Sequence, residues 1–151
     1  MSSNLNIYEA ATLAELDARY GRVKAGLDLG FSNAQASQAF RASHEGVWMT
    51  VECNAAAREI TAASLDPKTV LQLGSSGEWP FEDHQFEVVL FSQPILHARI
   101  EALMVLVREA HRVLQGGGCL IFTVEEAASG GRGWTARAVY ELLRDGFDGV
   151  G

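Results

Sequence analysis

Four short stretches of this chain carry side chains able to hold a ligand, and each stands where an apolar run ends. The first is DLGFSNA, Asp28 to Ala34, in which an acidic residue and a glycine lead into a helical segment. The second is Glu52, closing the run VWMTVE, and the third is Gly74-Ser75-Ser76, at the end of TVLQLG. The fourth is Ser92-Gln93, directly after FEVVLF. A strand that turns tightly into a helix presents its turn amides and the helix N-terminus to whatever lies beyond, which suits a nucleotide-like ligand. Open parallel sheets bind ligands outside the carboxyl ends of their strands, where the strand order reverses. Polar groups at four such ends point to one pocket. For Glu52 a plainer role is also open, as a negative charge near the N-terminus of the following helix.

The elements that must position these groups are best defined between Trp79 and Glu126. Phe86 to Phe91 and Cys119 to Val124 are apolar without alternation, as strands covered on both faces are. Between them, Ile100, Leu103, Val107, Ala110 and Leu114 recur at helical spacing. Two strands joined by a helix are parallel, so this is a βαβ unit, and Gly116, Gly117 and Gly118 are expected to stop its helix. Earlier in the chain, Tyr8 to Tyr20 reads as an amphipathic helix with Leu13, Leu16 and Tyr20 on one face. A short strand ends near Leu29, with Ser32 or Asn33 as the cap of the next helix. Gly46 to Ala63 reads as strand, loop and helix, Asp66-Pro67 breaks the pattern, and Thr69 to Gly74 forms a third strand. After the βαβ unit, Ala127 to Gly133 is a small-residue loop and Trp134 to Arg144 a helix with Val139, Leu142 and Leu143 inward.

Composition narrows the function classes. The 151 residues are 48% hydrophobic and 21% charged, which suits one globular domain over residues 1–151, with 1–22 as leader and first helix. A formal net charge of −7 argues against nucleic acid, whose binding is driven largely by cationic side chains that displace counterions. Arg99, Arg108 and Arg112 lie along one helix beside Glu101 and Glu109, a solvated, ion-paired face. No run approaches the ~18 apolar residues of a membrane span, and the N-terminus lacks a secretory pattern, so a cytoplasmic protein is expected. Cys53 and Cys119 sit in apolar contexts without CxxC spacing and read as buried reduced thiols. His44, His84, His97 and His111 show no zinc-binding spacing.

The order Pro80-Phe81, an acidic-polar turn, Phe86-Glu87-Val88-Val89, Ser92, His97, then Glu109-Ala110-His111-Arg112-Val113-Leu114 into Gly117-Gly118 and an Ile-Phe-Thr strand resembles the second half of class I S-adenosylmethionine-dependent methyltransferases. The nearest flavour is the UbiE-like group that acts on small molecules. The resemblance implies a three-layer α/β Rossmann-like fold, with a mainly parallel sheet in the order 3-2-1-4-5. It implies S-adenosylmethionine as cofactor and a small molecule as methyl acceptor. It also assigns the sites. Asp28 and Gly30 match the first motif, [DE]-x-G-x-G-x-G, while Ser32 and Ala34 replace its later glycines, each adding a Cβ where the backbone lies against the cofactor. Glu52 stands where the family places a carboxylate that accepts from both ribose hydroxyls. Gly74 keeps the glycine of a Gly-Asp pair whose acid receives the adenine amino group, and Ser75-Ser76 follow in place of that acid. Trp79 packs on the adenine ring or closes over the core. Ser92, at the fourth strand's end, is a further cofactor-binding position, and His97 is the candidate base where the acceptor must lose a proton, or else a helix N-terminal histidine without chemistry.

These departures also support a second reading, a methyltransferase-like domain that has lost catalysis and serves as a binding or assembly module. A nucleotide-binding α/β protein of another kind is a third. Ser92-Gln93-Pro94-Ile95 is not the Asn/Asp-Pro-Pro-Tyr motif of nucleic-acid methylation. The family continues with two further strands that are not found before the closing GFDGVG, so either the domain is truncated relative to the family or the sheet ends at the strand Cys119 to Val124, which gives five strands. That leaves the strand at 119–124 as an open edge, expected to pair with a second copy or a partner protein.

Overall fold

A computed structural model describes residues 5–30, 34–74, 77–92 and 100–122. Its elements in chain order are α1 (Ile7–Arg19), β1 (Ala25–Leu29), α2 (Ala34–Ser43), β2 (Val47–Glu52), α3 (Ala55–Ala62), β3 (Val70–Gln72), β4 (Phe86–Phe91), α4 (Ile100–Val113) and β5 (Leu114–Phe122). The strands form one sheet in the order β3-β2-β1-β4-β5, and every described pairing is parallel. This is the expected doubly wound arrangement: the order reverses between β1 and β4, where the chain leaves one side of β1 and restarts on the other. None of the described helices is long and apolar enough to cross a membrane.

Local chemistry explains the boundaries. At the start of α1 the Asn6 side chain accepts from the Glu9 N–H at 2.8 Å while the Glu9 carboxylate accepts from the Asn6 N–H at 2.9 Å. This reciprocal cap satisfies two of the donors that a helix start leaves over. Asn54 caps α3 by accepting from the Ala57 N–H at 2.9 Å, so Glu52 is not that helix's cap. The third strand is shorter than TVLQLG suggests, because Pro67–Thr69 form a 3-10 turn capped by Asp66. The cap expected at Ser32 or Asn33 lies outside the described residues, as do the helix expected over Trp134 to Arg144 and the strand end at Thr123-Val124.

Two cores flank the sheet. Leu16, Val23, Ala36, Phe40, Trp48, Val88, Leu90 and Ile121 pack under α1 and α2, with Phe40 stacked on Trp48 at 6.4 Å. On the other face Leu27, Val51, Trp79, Phe81, Val89 and Phe91 meet Ala110 and Val113 of α4. Side chains alternate between the faces of a strand, which is why both faces of β1, β2 and β4 are apolar and the runs do not alternate.

Three expectations need correction. Gly116 to Gly118 do not stop α4, which ends at Val113; they lie inside β5, between the pair Leu114–Phe86 and the ladder that begins at Cys119–Val88. Gly117, at φ 81°, takes the left-handed turn of this bulge, in which residues 115–118 of β5 stand against Glu87 alone of β4. Cys53 is exposed, because β2 ends at Glu52 and the turn to α3 carries it outward, while Cys119 is half-buried. Arg112 does not belong to a solvated face. Its guanidinium turns inward, donating to Glu109 at 2.8 Å, to the Phe81 carbonyl at 2.8 Å and to the Trp79 carbonyl at 3.0 Å. Glu109, 7% exposed, accepts in turn from the Trp79 N–H at 2.8 Å. This clamp fixes the segment before β4, where His84 at φ 57° donates its N–H to the Arg112 carbonyl at 2.9 Å.

Candidate functional site

The strand registers set Asp28 beside Thr50 and Leu90, and Leu29 beside Val51 and Phe91. Beyond these rows lie Gly30, Glu52 and Ser92, at the carboxyl edge around the order reversal. Gly30 continues the ladder, its N–H donating to the Val51 carbonyl at 2.9 Å, and the Leu73 N–H donates to the Glu52 carbonyl at 2.9 Å. Three strand ends are thereby held in one row.

Glu52 is fully buried and accepts from the Thr61 hydroxyl of α3. Its carboxylate lies across Gly30, so that a Cβ on Gly30 would collide with it. Glycine at this position therefore has a reason inside the protein itself: it leaves the space that the acid occupies.

Asp28 has a different environment. It is fully buried, accepting from the Thr50 hydroxyl at 2.6 Å and from the Ser37 hydroxyl of α2. Burial pushes its pKa up, and the two hydroxyls and nearby Arg41 work against that rise. Arg41 donates to the Thr50 hydroxyl at 2.9 Å and to the Thr69 hydroxyl at 2.7 Å, tying α2 to β2 and to the turn before β3. Asp28 thus anchors the end of β1 from below. The turn above it, with Ser32, lies outside the described residues.

At the end of β3 the chain folds back. The Gly74 N–H donates to the Glu78 carbonyl at 2.9 Å, the Gly77 N–H donates to the Gly74 carbonyl at 3.0 Å, and Gly77 takes φ 81°. The Glu78 side chain lies against Gly74, where an added Cβ would collide with its carboxylate. Ser75 and Ser76 lie outside the described residues. Trp79 is 4% exposed and meets Phe91 edge-on at 6.4 Å, so the indole is packed into the core with little surface left for a ligand. Ser92 is buried just past β4. His97 lies outside the described residues.

A family model described as a methyltransferase domain matches residues 27–122, from β1 to the last described residue of β5. The chain belongs to the methyltransferase domain family. Solved methyltransferases share the fold of this domain. One from Bacillus halodurans C-125 aligns with a TM-score of 0.70 at 19% identity, covering 90% of this chain and 67% of its own. The S-adenosylmethionine-dependent methyltransferase SibL aligns with a TM-score of 0.70 at 18% identity, covering 95% and 49%. The sugar N-methyltransferase KedS8 from Streptoalloteichus aligns with a TM-score of 0.66 at 18% identity, covering 81% and 49%. The chain thus spans between 49% and 67% of the length of these proteins. No curated protein matches the sequence.

Of the residues singled out in the sequence, the methyltransferase domain brings Gly30, Glu52 and Ser92 to one edge, with Gly74 beyond β2 on β3's side. Sequence reasoning missed Ser37, Thr50, Thr61, Arg41 and Glu78. For two of these a signal exists: Ser37 follows Asp28, and Thr61 follows Glu52, by the same nine positions. A strand-end acid with an alcohol nine residues on, inside the next helix, marks both βα units.

Proposed function

We propose that this domain transfers a methyl group from S-adenosylmethionine to a small molecule. The observation that carries the reading is Glu52 lying across Gly30 at the order reversal of a methyltransferase-family sheet. The side chains suit a nucleoside-bearing ligand: a carboxylate is an acceptor for paired sugar hydroxyls, and a residue without a Cβ stands beside it. Glu52 would hold the ribose. Glu78, whose carboxylate lies against Gly74 in the turn after β3, would accept from the adenine amino group in place of the acid that Ser75 replaces.

When bound, the cofactor supplies a methyl group activated by its sulfonium. The domain's own part is to fix donor and acceptor within reach and in line, where orientation is worth orders of magnitude in rate. Asp28 and Arg41 would hold the β1 end rigid, Ser92 would lie beside the cofactor, and His97 would take a proton where the acceptor must lose one. The negative net charge supports a small-molecule acceptor over nucleic acid.

Calorimetry with S-adenosylmethionine and S-adenosylhomocysteine tests this. Binding that weakens at least tenfold in Glu52→Ala is the expected result, about the value of hydrogen bonds to a charged group. No binding at millimolar ligand would sink the enzyme reading in favour of a non-catalytic module.

A further inference from the structure

We infer that Thr61 is a positioning residue, holding the Glu52 carboxylate in the orientation that the ribose requires; this rests on the cofactor reading above. Glu52 and Thr61 are both fully buried, and the hydroxyl donates to Oε2 of the carboxylate. An ionised carboxylate offers about four lone-pair sites, so one O–H can orient it while acceptor capacity remains for a sugar. Each fixed partner narrows the set of staggered conformations open to a glutamate side chain.

The helix that delivers Thr61 is itself pinned. Asn54 caps its start, and Arg58 donates to the Val70 carbonyl at 2.7 Å and to the Pro67 carbonyl at 2.9 Å. α3 is therefore tied to both ends of the turn that leads into β3, and the hydroxyl reaches Glu52 from a fixed direction. Gly30 completes the device from the other side, since any Cβ there would displace the same carboxylate. The parallel pair Ser37 and Asp28 fixes the neighbouring strand end in the same way.

The test measures binding of two probes, S-adenosylhomocysteine and its 2′-deoxyribose analogue, by calorimetry. The wild-type chain should prefer the ribose form by about tenfold, the worth of a charge-assisted hydrogen bond. Thr61→Val should lose most of that preference while binding the deoxy analogue nearly as before, and Thr61→Ser should restore it. In a Glu52→Ala background Thr61→Val should change nothing further, because the residue acts through Glu52. A Thr61→Val chain that weakens both probes equally, or keeps the full ribose preference, overturns the inference and leaves the cofactor reading standing. Should Thr61→Val fail to fold, Thr61→Ser and the double variant decide: loss of preference in the first, or unfolding of the second, refutes the role. Failure of the wild-type chain to bind either probe overturns both.

Discussion

Replacing Arg112 by methionine should destabilise the domain by about 3 kcal/mol. The change keeps an unbranched apolar stem and removes the guanidinium, and with it three kinds of contact. The ion pair to Asp83 at 2.9 Å is worth little, because Asp83 is 67% exposed and water competes for it. The bonds to the Trp79 and Phe81 carbonyls come from a charged donor, at ~1.5–3 kcal/mol each before discounting for the 30% exposure of Arg112. Glu109, at 7% exposure, is left without its cation, a loss that costs ~3–5 kcal/mol in a fully buried pair. Partial exposure and the surviving Trp79 N–H bond bring the total to the lower end, about 3 kcal/mol. For a chain of this size that is a fall of about 6–12 °C in melting temperature. Urea unfolding followed by tryptophan fluorescence reads it directly, since Trp79 sits under the clamp. Adding Glu109→Gln to Arg112→Met should recover about 1 kcal/mol, because a stranded buried charge costs more than a neutral amide. A loss below ~1 kcal/mol for Arg112→Met, or no recovery in the double variant, would show that the clamp does not hold the segment before β4.

Acid stability should report the same carboxylate. The bonds from Arg112 hold the Glu109 pKa below its ordinary 4.5, so its contribution is fully present above about pH 4.5 and is lost as pH falls through the lower folded-state value. Asp28 acts in the opposite sense: burial raises its pKa above the ordinary 3.8, so its ionisation costs stability as pH rises through the folded-state value. Glu109→Gln should therefore flatten the acid-side decline in unfolding midpoint, and an unchanged decline would count against the assignment. Glu78→Gln should reduce the preference for S-adenosylhomocysteine over its 6-oxo purine analogue by about tenfold, the scale of a charge-assisted hydrogen bond; an unchanged ratio in competitive binding would remove Glu78 from the base-binding role.

Much of the architecture is legible in the sequence alone. The unalternating run Phe86 to Phe91, the helical spacing of Val107 and Ala110, and the strand-turn-helix at Asp28 and Gly30 are local patterns, set by how one stretch of chain satisfies its backbone and hides its apolar side. With the family resemblance they implied a parallel sheet in the observed order and the edge at which Gly30, Glu52 and Ser92 meet. What escaped was every feature that depends on contacts across the fold. Gly116 to Gly118 look like a helix stop, yet the pairing of Leu114 with Phe86 across the sheet draws β5 back to the end of α4 and turns the glycines into a bulge. Arg112 has the spacing of a solvated charge, and only the packing of α4 against the segment at Trp79 and Phe81 turns it inward. Asp28 and Glu52 read alike as strand-end acids. Tertiary structure gave them different surroundings, two hydroxyls and an arginine around one, the Thr61 hydroxyl and the Cβ-free backbone of Gly30 against the other. Periodicity along the chain determines which side of an element is buried, whereas the partner of a buried polar group is chosen by whichever donor the folded neighbours bring within reach.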